Sequence, residues 1–383
     1  MIRLFKSLPL VALLALGLAV PAEGARKRAP AAKAPLVGVA DQSPATFADP
    51  LFRDLGVRHT RLIVAWNAVL IDPTGLDAWI AAAREAGAEP LIAFNHADGD
   101  ACPATPCSLP SVAAYRRAFK AFRARYPDVR SIQPWNEANH QSQPTARNPR
   151  RAAEYYLAAK ALCRGCKVVA ADVLDSTNME RWLAGFRRRA PKARLWGLHN
   201  YTDTNRFRLS GTERLLSAVP GEVWLTETGG IHRFETTDGR VPFQPSESRA
   251  ARAVEHVFRI ASTHRRRITR LYLYQWRRTN DFDRFDAGFV DPVDGRPRRA
   301  YHVLRRLLRR GGVRPLPNRE TPKGPKPDKP AKPPKPPKPP RSGFGGFGGF
   351  GGFAGLSGFG PFGVSRFGSG LTPPRRSRRR STW

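Results

Sequence analysis

Two glutamates are placed for chemistry in a chain whose 383 residues carry 65 Lys and Arg against 31 Asp and Glu. Glu137 lies in PWNEANH, residues 134–140, between apolar, amide and small residues, and Glu227 lies in EVWLTETGG, residues 222–230. Cleaving a glycosidic bond with retention needs two carboxyl groups about 5–5.5 Å apart, one protonating the leaving oxygen and one attacking the anomeric carbon. The two candidates are far apart in the chain, so a folded scaffold must bring them together.

That scaffold is legible as short β-branched or aromatic runs alternating with longer amphipathic stretches. The runs predict eight strands: Leu36 to Ala40, Arg61 to Trp66, Pro90 to Asn95, Ser131 to Asn136, Lys167 to Val173, Arg194 to Tyr201, Glu222 to Glu227 and Arg270 to Trp276. Helical periodicity follows over Leu76 to Ala86, Ser111 to Tyr126, Pro149 to Cys163, Met179 to Ala190, Gly211 to Val219, Pro245 to His264 and Arg299 to Arg310. Asn148-Pro149 reads as an N-cap followed by proline at the first helical position. The stretch Ala45 to Leu55 carries the weakest helical pattern. Eight strands, each followed by a helix, predict an α/β protein of the (β/α)8 TIM barrel class. An open nucleotide-binding sheet usually has fewer strands and wants a glycine-rich loop after the first, whereas VGVADQSP holds only Gly38.

In such a barrel the chemistry gathers where strands end at their carboxyl side. Glu137 follows the fourth strand and Glu227 ends the seventh, on opposite sides of one cleft. Trp66, Asn95 and His96 also fall at strand tips and are candidates to line a subsite.

These residues resemble the retaining (β/α)8 glycoside hydrolases of the large cellulase-like and xylosidase-like clan. That clan puts its acid/base glutamate after an asparagine on strand four and its nucleophile at the end of strand seven. The resemblance implies that Glu137, behind Asn136, is the acid/base and Glu227 the nucleophile. It further implies that Arg61 in HTRLIVAWN sits near the nucleophile, that His199 and Tyr201 in GLHNY supply the strand-six pair, and that Trp276 in YLYQW forms an aromatic wall. It covers roughly Leu36 to Arg310, and the loops Ala138 to Asn148 and Thr228 to Gln244 match no subfamily.

Each role has a physical expectation beside it. Glu137 has to be protonated when substrate arrives, so Trp135 and a nearby carboxylate should hold its pKa up. Arg61 and the Tyr201 hydroxyl should favour the ionised form of Glu227. Asn136 suits the sugar 2-hydroxyl. The eight histidines are scattered without a metal-binding spacing such as H-E-x-x-H, so neither a catalytic metal nor a cofactor is expected.

The ends of the chain bear on where it works. Arg3 and Lys6, an apolar run from Leu8 to Val20 and Val20-Pro21-Ala22 read as a secretory signal peptide cut after Ala22. The apolar run falls short of the roughly 20 residues that span a bilayer. An even number of cysteines in an exported protein favours the local disulfides Cys102–Cys107 and Cys163–Cys166 over a four-thiolate zinc site. After a short linker, residues 23–35, the barrel domain is expected over 36–316. Beyond it a Lys/Pro segment, 317–341, reads as a polyproline II spacer, and a Gly/Phe-rich and basic tail, 342–383, reads as disordered. Net charge is +34. An exported protein so basic suits anionic cell-envelope polymers, and no zinc-finger, RNA-binding or helix-turn-helix signature points to nucleic acid. The combined expectation is a secreted or envelope-associated, monomeric retaining hydrolase of poly- or oligosaccharides. The alternative is a non-catalytic carbohydrate-binding or adhesive barrel.

Overall fold

The computed structural model describes residues 33–278 and 283–311. The expected signal peptide, spacer and tail lie outside the described residues. Nine parallel strands run β1 (Leu36–Ala40), β2 (His59–Ala65), β3 (Glu89–Asn95), β4 (Ser131–Gln133), β5 (Lys167–Val168), β6 (Asp172–Leu174), β7 (Leu195–His199), β8 (Glu222–Thr228) and, after the short β9 (Arg233–Phe234), β10 (Ile268–Tyr274). A further short strand, β11 (Phe285–Asp286), pairs with β9 outside the main sheet.

The sheet order β5-β4-β3-β2-β1-β10-β8-β7-β6 ends on two strands that are consecutive in the chain, so it is a closed barrel with its fifth strand in two pieces. β5 pairs with β4 and β6 with β7. Between them the chain changes partner: Val169 N donates to Ile132 O, and Ala170 N donates to Leu195 O. The single strand expected over Lys167 to Val173 therefore divides where closure requires it to face a different neighbour on each side. Strand four stops at Gln133 rather than reaching Asn136, and the strand through His199 ends before Tyr201, which opens the short helix Tyr201–Asn205.

The parallel strands are apolar almost continuously because one face meets helices and the other the barrel interior. Outward-facing Ile92, Phe94, Ile132, Leu198, Val223 and Leu273 join the main core with the helix residues Ile80, Phe122, Val254 and Leu304. The helices begin where side chains satisfy their free N–H groups. Ser111, Asn148 and Ser246 accept from Ala114 N, Arg151 N and Arg249 N. The weak pattern of Ala45 to Leu55 resolves into a 3-10 turn, Pro44–Ala48, and a short helix, Pro50–Asp54.

Inside the barrel Leu91, Val169, Trp224 and Tyr272 fill the middle. Tyr272 fits there because Gly38 on β1 has no side chain, and a Cβ at that position would collide with the tyrosine ring. Arg270 stacks on Trp224 with its guanidinium carbon 4.4 Å from the ring centre. Above this plug, at the carboxyl ends of the strands, the interior turns polar. Both cysteine pairs are disulfides, Cys102–Cys107 and Cys163–Cys166.

Candidate active site

Glu227 lies within β8 one residue before its end and is completely buried. Its Oε2 accepts from Arg61 Nη1 at 2.5 Å and its Oε1 from Tyr201 Oη at 3.1 Å. A buried charge survives only when paired and hydrogen-bonded, and Arg61 meets that requirement on several sides. Its Nε donates to Gln133 Oε1 at 3.1 Å and its Nη2 to Asn136 Oδ1 at 2.6 Å.

Glu137 sits just beyond β4 on a turn with φ 44°, in the left-handed region that L side chains seldom adopt. It is 2% exposed, and its Oε1 lies 3.1 Å from His199 Nδ1. His199 stands between the two glutamates: atoms of Glu137, His199 and Glu227 all lie within 4.8 Å of one another. One oxygen of each carboxylate is therefore brought within 4.8 Å of the other.

Each side chain of this trio has a partner within the protein. Arg61 holds Glu227, and the His199 ring lies between Glu137 and Asp172, whose Oδ2 is 2.7 Å from Nε2.

The electrostatics differ from the sequence-based expectation at Glu137. Burial pushes its pKa up, but the hydrogen bond and charge of His199, with help from His140, outweigh this and leave it lowered. Trp135, expected to raise it, instead packs among the outer helices at 5.0 Å from Tyr155 and donates its indole N–H to Gln143. His199 itself is lifted to about 10: burial opposes its charge, while Asp172 and Glu227 favour it more strongly. Burial and the Glu227 charge raise the Tyr201 phenol well above its ordinary value.

Trp66, Asn95 and His96 lie at the tips of strands two and three. Among the described residues the Trp66 Nε1, Asn95 Oδ1 and His96 Nε2 atoms are buried without a hydrogen-bond partner. Trp276 does not join the site. It is 1% exposed, packs edge-on against Phe52, and donates its backbone N–H to Asp41 and its indole N–H to Asp49. Strand alternation from Tyr272 and Tyr274 would carry it inward, but β10 ends at Tyr274 and the Asp41 bond redirects the chain. Tyr274, at the end of β10, is the aromatic residue brought to Glu227; burial and then the Glu227 charge raise its phenol pKa, and it packs on Phe285. Sequence reasoning also passed over Gln133, Asp172 and Thr226. The available signal was an aspartate inside the apolar run VVAADVL.

Residues 113–280 match the family model described as glycosyl hydrolase catalytic core. Among solved structures, the barrel is similar to a GH10 endoxylanase retrieved from a sugarcane soil metagenome, at 15% identity and a TM-score of 0.53, over 72% of this chain and 97% of that one. It is also similar to a monomeric β-xylosidase from Caulobacter crescentus, at 15% identity and a TM-score of 0.52, over 72% of this chain and 68% of that one. A family 39 glycoside hydrolase from Bacteroides cellulosilyticus aligns at 16% identity and a TM-score of 0.50, over 71% of this chain and 63% of that one, so the chain spans less than two thirds of that protein's length. No curated protein matches the chain in sequence. The fold is a (β/α)8 barrel, and residues 113–280 within it are similar to the glycosyl hydrolase catalytic core. The likeness to solved structures, at these identities, rests on the fold.

Proposed function

We propose that the protein is an exported retaining glycoside hydrolase that cleaves O-glycosidic bonds of a poly- or oligosaccharide by double displacement. The observation that carries this reading is the convergence of the Glu137 and Glu227 carboxylates around His199 within 4.8 Å. An inverting pair would stand about 6.5–9.5 Å apart to leave room for water.

Glu227 is the nucleophile. Arg61 and Tyr201 hold one oxygen each and aim the carboxylate, and the same contacts receive its charge when the glycosyl–enzyme breaks down. Glu137 protonates the leaving oxygen and then deprotonates the incoming water. Because His199 Nδ1 bonds its Oε1, the proton it delivers belongs to the Glu137–His199 pair, and the pair's titration sets the working pH range. Asn136, with Oδ1 held by Arg61, keeps its amide nitrogen for the sugar 2-hydroxyl. Trp66, Asn95 and His96 offer their unmatched polar atoms to the ring hydroxyls.

The disulfides support a protein that works outside the reducing cytosol. No helix among the described residues is long and apolar enough to cross a membrane. The Lys/Pro and Gly/Phe segments, with +12 of the net charge in residues 319–383, would hold the enzyme near anionic envelope polymers. A screen against β-linked xylans, glucans and their aryl glycosides, with the first-formed anomer followed by NMR, tests the reading. Product of the substrate's own configuration is expected. A first product of opposite configuration sinks the double displacement.

A further inference from the structure

Asp172 opens β6 at the middle of the site, and its side chain is fully buried. Its Oδ2 accepts from Gln133 Nε2 at 2.5 Å, lies 2.7 Å from His199 Nε2, and accepts from Glu137 N at 3.2 Å. Its Oδ1 accepts from Thr226 Oγ1, and its own carbonyl accepts from Ala138 N at 2.8 Å. Arg61 Nη2 stands 3.8 Å away. One residue therefore ties together four barrel strands and the turn that bears Glu137.

We propose that Asp172 is the positioning residue of this site: it fixes the His199 ring with Nε2 as donor and Nδ1 toward Glu137, and it pins the left-handed turn on which Glu137 rides. Gly197 makes this possible. It lies on β7 two residues before His199, and a Cβ there would collide with Asp172 Oδ1 and come within 2.8 Å of Thr226 Oγ1. The aspartate reaches under the imidazole only because that position is bare.

The consequence lies in where one proton resides. The groups facing His199 are Asp172, Glu137, Glu227 and Arg61, with His140 and Tyr201 behind the two glutamates. Asp172 is the nearest carboxylate to Nε2 and, against the effect of burial, favours the charged ring; burial and the Asp172 charge push Glu137 up, while the bond and charge of that ring bring it down. The turn is held in the same grip. A non-glycine residue in the left-handed region is strained and persists when its surroundings over-determine it. The Asp172 side chain takes the Glu137 N–H and its carbonyl takes the next one.

This inference rests on the hydrolase reading for its meaning but not for its test. The measurement is the 15N titration of the His199 ring in the full, ligand-free chain, wild type against Asp172→Asn, with folding checked by near-UV circular dichroism. In the wild type the ring should carry both protons at pH 8. In Asp172→Asn its midpoint should fall by about 1–3 pH units, the scale on which a neighbouring opposite charge acts. On any substrate the screen yields, the alkaline limb of kcat/KM for poor leaving groups should move down by the same amount, a change that simple loosening of the fold does not produce. Gly197→Ala, which displaces the carboxylate without removing it, should shift the ring in the same direction and serves if Asp172→Asn does not fold. An unchanged His199 midpoint in either folded variant overturns the proposal, as does a neutral His199 at pH 8 in the wild type. A screen that finds no substrate while the ring shifts as expected removes the hydrolase reading and leaves the positioning role.

Discussion

The two ends of the barrel interior are built from the same three residue types with opposite results. At the amino end Arg270 Nη1 lies 3.3 Å from Glu89, and His59 Nδ1 lies 3.5 Å from the other oxygen. At the carboxyl end Arg61, His199 and Glu227 are joined by Asp172, Gln133 and Asn136. The Glu89 side chain is 41% exposed, whereas every charged group of the upper cluster is sealed, Glu137 being the most open at 2%. The histidines diverge accordingly. His59 has its pKa lowered, first by burial and then by the Arg270 charge, while His199 is raised because three carboxylates outweigh its burial. A second and third carboxylate, rather than the arginine, separates a cluster that trims the base of the barrel from one that can hold and move a proton.

Removing the proposed nucleophile should have the largest effect. Glu227→Gln keeps the shape and should cost about 10⁴-fold or more in turnover, the scale seen when a nucleophile is lost. The matching change below, Glu89→Gln, should leave turnover unaltered. Stability sharpens the same contrast. Arg61→Met strands the buried Glu227 charge and should cost about 3–5 kcal/mol by denaturant unfolding. Glu89→Gln opposite the solvent-facing pair should cost about 0–1 kcal/mol.

Glu137→Ala should lose about 10²–10⁴-fold on substrates with poor leaving groups and far less on activated aryl glycosides, which need little protonation. Equal loss on both would assign Glu137 a different task. Stability against pH separates the two histidines. His199 has a folded value near 10 against 6.5 unfolded, so its contribution is complete below pH 6.5 and lost as pH rises toward 10. His59 is lowered, so its contribution is present above 6.5 and lost as pH falls. Melting temperature should therefore decline on both sides of neutrality, and His59→Gln should flatten only the acid side.

How much of this was readable beforehand follows from what each feature depends on. The strands and helices were legible because period and caps are local: Asn148 before Pro149 starts a helix as expected, and the apolar runs became barrel strands. Glu137, Glu227, Arg61, Asn136, His199 and Tyr201 meet because barrel closure brings the strand tips together, a property of strand order alone. Trp276 does not, because its direction is set by a contact with Asp41 that lies 235 residues away in the chain. Asp172 was hidden for a related reason. Its importance comes from what converges on it from β4, β7 and β8, and a lone aspartate in an apolar strand carries no mark of those partners.

Trapping the covalent intermediate probes the central claim most directly. Incubating the full chain with a panel of 2-deoxy-2-fluoro β-glycosides bearing good leaving groups, followed by peptide mass spectrometry, should show one fluoroglycosyl adduct on the peptide containing Glu227. The adduct should be absent from Glu227→Gln. A label on another residue, or a folded wild-type protein that hydrolyses the parent glycosides yet never acquires the adduct, would contradict the account.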